Sequence, residues 1–203
     1  MNEKRIIKRW RTVKSKTPII GIDDGGFDRF SKEDIIIPVF GVIMKGSAYV
    51  DGIIQCHLKR DDSQATTTIT QMILDSTHKN QLKTIFLQGI TISGFGVLDI
   101  VSLYEMTGIP VVVVLRKYPN FPKIKSALEK AFPTDQDRWQ SIKRAGDPLK
   151  VQENPVVYLQ LAGIHPKDAY LLIKECTAVG TIPEALRIAH FIGASYYHST
   201  RQM

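Results

Sequence analysis

Residues 19–27 read Ile-Ile-Gly-Ile-Asp-Asp-Gly-Gly-Phe. An apolar run stops at two adjacent acids, Asp23 and Asp24, and two glycines follow. A buried strand that ends this way carries its carboxylates at the exposed tip of a sheet. Hard oxygen ligands at such a tip suit Mg²⁺, which commonly takes one or two protein carboxylates. Gly25 and Gly26 let the backbone turn tightly and approach a bulky substrate closely. A plainer reading of the same residues is an Asp-Gly turn between two strands.

Outward from this stretch, Ile35 to Met44 is β-branched and reads as a second strand, with Pro38 marking its start or an edge. Ala48 to Arg60 alternates loosely and reads as a third, with Asp51-Gly52 as a possible turn before it. Three strands in a row predict an antiparallel meander. The period then changes. Ile69, Met72 and Ile73 fall at helical spacing within Ala65 to Ser76, after the capping-type residues Asp62 and Ser63. Leu82 to Leu87 is a short apolar strand, and Gly96 to Thr107 reads as a helix ended by Gly108. Pro110 to Leu115 has the composition of a strand buried on both faces. Ile124 to Phe132 reads as a helix, Val156 to Leu161 as a strand, and His165 to Cys176 as a helix begun by Pro166. Pro183 to Phe191 reads as a last helix, and the polar stretch from Pro133 to Pro155 as a long loop. Three leading strands followed by β-α units predict an α/β domain with a mixed central sheet. That is the element order of the three-layer ribonuclease H-like fold. With no internal repeat or boundary, residues 1–203 read as a single domain with a basic N-terminal segment.

Composition narrows the function classes. The apolar fraction is 43% and the charged fraction 23%, ordinary for a globular protein. No apolar run reaches the roughly 18 residues that a membrane-spanning helix needs. Met1 to Lys16 is basic and polar, unlike a signal peptide. Cys56 and Cys176 form neither a metal-ligand pattern nor a disulfide framework, which points to a reduced, cytoplasmic protein. The net charge is +7, and such a surplus favours polyanionic partners such as nucleic acid. Lys4, Arg5, Lys8, Arg9, Arg11, Lys14 and Lys16 crowd the first segment, and Arg116, Lys117, Lys123 and Lys125 another. A solvated arm or outer strand would account for the first cluster equally well.

In an open α/β sheet, sites form where the carboxyl ends of strands meet a crevice. The first strand ends in Asp23 and Asp24, the third in Lys59-Arg60-Asp61-Asp62, and the fourth in Leu87-Gln88-Gly89. Acids at one edge would build a metal-binding cluster able to activate water against a phosphodiester. Asp61 and Asp62 are equally suited to helix capping. Arg116 and Lys117 follow the buried strand and should emerge at the same edge, where a cation can hold a phosphate. Ser93-Gly94-Phe95-Gly96 is a glycine-rich turn able to cradle a phosphate at a helix start. Asp99 falls inside an expected helix, as a surface or helix-satisfied acid rather than a ligand. His190, near Arg187 and Glu184, reads as structural rather than catalytic. His57, His78 and His165 lack metal-ligand spacing, and neither a P-loop nor a nucleophile elbow is present.

Five segments together resemble a known family. They are Gly21–Phe27, Gln81–Ile100, Thr107–Val114, Val157–Gly163 and Ile182–His190. In this order the chain resembles the archaeal family known as domain of unknown function 99, or endonuclease dU, relatives of endonuclease V. The resemblance implies a ribonuclease H-like fold and a Mg²⁺- or Mn²⁺-dependent DNA-repair endonuclease. Its substrate would be DNA carrying a deaminated base such as deoxyuridine. By position Asp23 matches the first catalytic acid of endonuclease V, and Asp61 or its neighbour Asp62 the acid after the third strand. Arg116 or Lys117 stands where endonuclease V has a lysine. The implied catalytic set is Asp23, Asp61 and Lys117, with Asp23, Asp24, Asp61 and Gln88 as metal ligands. Gly25, Gly89, Ser93, Gly94, Arg116 and Lys117 would meet the substrate. Two departures matter. Relatives have Asp-Gly where this chain has Gln88-Gly89, and usually a second proline where it has Ala185. A glutamine offers a neutral oxygen but no charge. A nucleic-acid-binding protein with a weakened catalytic site is therefore the alternative expectation. A small-molecule phosphotransferase, lacking any nucleotide motif, ranks last.

Overall fold

The computed structural model describes residues 14–28 and 35–200. The basic cluster from Lys4 to Arg11 lies outside them. The first strand, β1 (Pro18–Asp24), pairs antiparallel with β2 (Ile36–Lys45), which pairs antiparallel with β3 (Tyr49–Lys59). This is the expected meander. Helix α1 (Ala65–Asp75) then leads to β4 (Thr84–Leu87), which lies parallel to β1 on its other side. A two-stranded hairpin, β5 (Thr91–Ile92) and β6 (Gly96–Val97), precedes α2 (Ile100–Thr107). Strand β7 (Val111–Leu115) continues the parallel centre beside β4. Helices α3 (Phe121–Ala131) and α4 (Asp137–Ala145) follow. The antiparallel strands β8 (Leu149–Glu153) and β9 (Val156–Ala162) close the far edge. Helices α5 (Pro166–Cys176) and α6 (Glu184–Thr200) come last. The main sheet has seven strands in the order β3-β2-β1-β4-β7-β9-β8.

The alternation of side chains along the central strands builds two cores. Ile20, Ile22, Ile85, Leu87, Val111 and Val113 face one side, where Ile69, Leu103, Leu128 and Ile142 bring in α1 to α4. Ile19, Phe86, Val112 and Val114 face the other, against Leu172 of α5 and Leu186 of α6. Both faces of the sheet are thus apolar and helix-covered, as a parallel centre requires. The result is the three-layer mixed α/β architecture expected from the element order. No helix among the described residues is long and apolar enough to cross a membrane. Both cysteines are unbridged thiols.

Several local expectations are corrected. Asp51-Gly52 is not a turn: the chain reverses at 46–48, and the β2–β3 register shifts so that Asp51 has no partner across the ladder. A bulge uses the same residue types for a different purpose. Pro38 lies near the start of β2, but β2 is an interior strand. The stretch 133–155 is no loop, since it contains α4 and β8. Only Arg138, Ile142 and Ala145 of α4 are buried, so one of its three inward positions is an arginine and no apolar stripe shows. Helix α2 begins at Ile100, with Asp99 as its cap: the Asp99 carboxylate accepts from the N–H groups of Val101 and Ser102, both at 3.0 Å.

Candidate functional site

The parallel register pairs Ile22 of β1 with Leu87 of β4, so Asp23 and Gln88 emerge at adjacent strand tips. They open into a cavity of about 640 Å³ that Asp24, Asp61 and His190 also line. Gly25 lies beside these residues without lining the cavity: its N–H donates to the Pro38 carbonyl at 2.7 Å, and a Cβ there would meet the Pro38 ring. The acids after the third strand part company. Asp62 turns back on its own loop, accepting from the Gln64 N–H at 2.8 Å and the Lys59 N–H at 3.1 Å. Asp61 adopts a left-handed φ of 58° and turns its side chain into the cavity wall.

The glycine-rich turn ties these acids together. Ser93 is itself left-handed, with φ of 49°. Its N–H donates to the Asp24 carboxylate, and its carbonyl accepts from the Asp61 N–H at 2.8 Å. Two residues on, the Phe95 N–H donates to Asp61 Oδ1 at 2.6 Å. The turn lies inside the β5–β6 hairpin rather than at a helix start, and two of its N–H groups hold protein carboxylates. Gly94 must stay bare, because a Cβ there would strike Asp61 Oδ1. Gly89, with φ of 92°, has open space where its Cβ would be.

From the opposite core, α6 completes the cavity. A Cβ on Gly21 would meet the Ala185 carbonyl carbon at 2.5 Å, and one on Gly193 would strike the Asp24 carbonyl. Two bare positions therefore let helix and strand touch backbone to backbone. This approach places His190 Nδ1 3.0 Å from Asp23 Oδ2. Burial pushes the Asp23 carboxyl above the usual carboxylate range, while His190 and the Asp24 N–H pull it down. The sequence reading passed over His190 as structural. Its side chain is 62% exposed, meets the Asp23 carboxylate and lies against the Phe191 ring, whereas Glu184 and Arg187 pair with each other beside it. The signal that would have found it is the small-residue face of Ala185, Ala189 and Gly193, which marks a helix in close approach.

Three further residues were not foreseen. Phe27 and Arg60 line the cavity. Arg138 of α4 is only 6% exposed and holds the wall from behind. It donates to the Asp61 carbonyl at 2.7 Å, to the Phe95 carbonyl, and to Asp135 at 2.8 Å. Arg116 and Lys117 are exposed just past β7, at the same edge of the sheet but not among the cavity's lining residues.

The donor chemistry fits a hard cation. Asp23, Asp24 and Asp61 supply carboxylates and Gln88 an amide oxygen, all around one cavity. A cation beside the half-buried Asp23 would favour its ionised form against the desolvation that opposes it. Among the described residues, no three of His, Cys, Asp and Glu are already gathered into a cation-holding group.

Comparison with known proteins bears on the same fold. The endonuclease dU profile matches residues 15–197. A UPF0215 protein of Methanothermobacter thermautotrophicus is 42% identical over 185 residues, covering 91% of this chain and 90% of that one. Another from Pyrococcus furiosus is 36% identical, covering 91% and 94%. A crystal structure of an Archaeoglobus fulgidus protein of unknown function superposes with a TM-score of 0.80 at 32% identity, covering 89% of this chain and 98% of that one. The catalytic domain of human endonuclease V gives 0.61 at 13% identity, covering 98% and 90%. Endonuclease V of Ciona intestinalis, solved with a DNA containing an inosine followed by a ribo-adenosine, gives 0.57 at 12% identity, covering 91% and 87%. The last two share the ribonuclease H-like fold with this chain.

Proposed function

The chain belongs to the endonuclease dU family, and we propose that it is a metal-dependent endonuclease acting on DNA with a deaminated base such as deoxyuridine. One observation carries this reading: three carboxylates, a glutamine and a histidine from β1, the 61 loop, β4 and α6 converge on one cavity at the carboxyl edge of the sheet. Hydrolysis would form a bond from a water oxygen to phosphorus as one phosphodiester P–O bond breaks. Asp23, Asp24, Asp61 and Gln88 would hold Mg²⁺ or Mn²⁺, which when bound supplies Lewis acidity and lowers the pKa of water. An ionised Asp23 only accepts, so His190 Nδ1 carries the proton between them and Nε2 is left to take up or deliver one. Arg60 lines the cavity and is suited to a phosphate oxygen. Lys117, with Arg116, stands further along the same edge and is assigned to the DNA backbone rather than to the cavity. Gly94 lines the cavity, and Gly25, Gly89 and Ser93 lie beside it, where bare backbone would let a substrate approach closely.

The test is cleavage of duplexes containing uracil, inosine or no damaged base, with Mg²⁺, with Mn²⁺ and with EDTA. Nicking only at the damaged base and only with metal is expected. Binding without nicking in every metal would favour the alternative, a nucleic-acid-binding protein with a weakened site, and Gln88 is the observation behind that alternative.

Gln88→Asp separates the two. A carboxylate a few ångströms from a divalent cation gains a few kcal/mol before desolvation is charged against it. We expect Mg²⁺ affinity to rise on the order of tenfold, a net gain of about 1.4 kcal/mol. Calorimetric titration of wild type and variant reads this directly. Unchanged affinity would remove Gln88 from the ligand set.

DNA binding should also be salt-sensitive, because each phosphate neutralised by the +7 chain releases counterions. About six such contacts would lower affinity on the order of 10³-fold between roughly 50 and 200 mM salt. A flat salt profile in a filter-binding or anisotropy titration would exclude DNA as the partner.

A further inference from the structure

Phe95 is an aromatic ring that the fold holds firmly and yet leaves 38% exposed at the cavity. Its backbone is fixed on both sides, the N–H by Asp61 Oδ1 at 2.6 Å and the carbonyl by Arg138. Its ring meets Phe132 edge to face, with centroids 5.9 Å apart at 70°. The Arg138 guanidinium in turn lies 4.2 Å from the centre of the Phe132 ring. A buried arginine, a second aromatic and a carboxylate thus fix one partly exposed phenylalanine. Across Gly94 stands a second ring: a Cβ on Gly94 would come within 3.6 Å of Phe27 Cζ. The two rings share one cavity with Asp23, Asp24 and Asp61.

Packing on Phe132 accounts for the buried part of the ring, but the part left exposed at the cavity gains nothing from folding. A fixed, partly exposed ring beside a phosphate-directed site suits a nucleobase, since stacking accepts any base and carries much of single-strand affinity. The volume of about 640 Å³ lies in the range that takes one small ligand group. We propose that Phe95, with Phe27 across Gly94, is the stacking platform for the single nucleobase displaced from the duplex next to the carboxylates. Unstacking that base costs a few kcal/mol, least for a damaged or mismatched one. A ring already fixed in place recovers part of that cost without losing further side-chain freedom. Arg138 acts here as a positioning residue, because it holds the turn that presents the ring.

The proposal rests on the DNA-directed reading above, and the test separates the two. Binding is measured by fluorescence anisotropy in EDTA, which leaves cleavage out. The probes are duplexes with one central uracil mismatch or one abasic site at the same position. Phe95→Leu should bind the uracil duplex about tenfold more weakly than wild type, the loss seen when a stacking aromatic is removed. It should bind the abasic duplex as wild type does, since that duplex has no base to stack. Phe95→Trp should keep the affinity, and its indole emission, above the background of Trp10 and Trp139, should be quenched by the uracil duplex alone. Equal affinity of wild type and Phe95→Leu for the uracil duplex would overturn this proposal and leave the nuclease reading standing. No DNA binding by wild type would overturn both. If Phe95→Leu folds poorly, the Phe95→Trp emission decides: quenching by the uracil duplex alone supports the platform, and unquenched or equally quenched emission overturns it.

Discussion

Gly21→Ala is expected to destabilise the protein by about 3 kcal/mol, the upper range for forcing extra atoms into a packed core. The added methyl would sit 2.5 Å from the Ala185 carbonyl carbon and in collision with the Leu186 nitrogen. These are backbone atoms, so no side chain can rotate away; α6 must lift from β1 or the strand must bend. For a chain of this size such a loss lowers the melting temperature by roughly 6–12 °C. Thermal unfolding followed by circular dichroism measures it. The functional loss should exceed the stability loss, because a shifted α6 carries His190 away from Asp23, whose 3.0 Å contact depends on this approach. A Gly21→Ala protein that melts within 2 °C of wild type would show that helix and strand do not touch as described.

Asp23→Asn should separate chemistry from folding. It keeps the shape of the side chain and removes the charge and the hard anionic oxygen. On the proposed reading it lowers the nicking rate on the order of 10³-fold, equivalent to losing about 4 kcal/mol of transition-state stabilisation. Stability should move by no more than about 1 kcal/mol, because burial already opposes a charge at this position. DNA affinity in EDTA should hold or rise, since one negative charge leaves the phosphate path. Single-turnover rates, melting curves and anisotropy together give the pattern. Nicking that survives Asp23→Asn would place the chemistry outside this cavity.

The centre of the sheet was legible because its strands are buried on both faces. Val111 to Val114 and Ile19 to Ile22 spell that burial in β-branched residues, and no other element competes for such composition. Helix α4 was hidden because Arg138 occupies an inward position, satisfied by carbonyls that belong to loops 43 and 77 residues away in the chain. Strand β8 was hidden because it is an edge strand with no buried residue to give a period. The acids at the strand tips could be seen as candidates, but not their company. The pairing of Asp24 with Ser93, and of Asp61 with Phe95, comes from two left-handed residues, Asp61 and Ser93, that no local pattern announces. His190 was missed for a related reason. Its helix shows small residues at Ala185, Ala189 and Gly193, which say that something lies close, but only the fold says that it is the strand bearing Asp23.

The contact between β1 and α6 also orders events in time. Asp23 and His190 stand 167 residues apart, so a ribosome makes the acid well before the histidine. At synthesis rates of about 5–20 residues per second, that interval lasts roughly 8–33 seconds. Through all of it the growing chain holds carboxylates without their histidine, and a strand whose bare Gly21 face has nothing to rest against. On the proposed reading, a protein that cuts genetic material becomes competent only when α6 settles onto β1. On the same reading, a translation product interrupted before α6 would lack the histidine that meets Asp23.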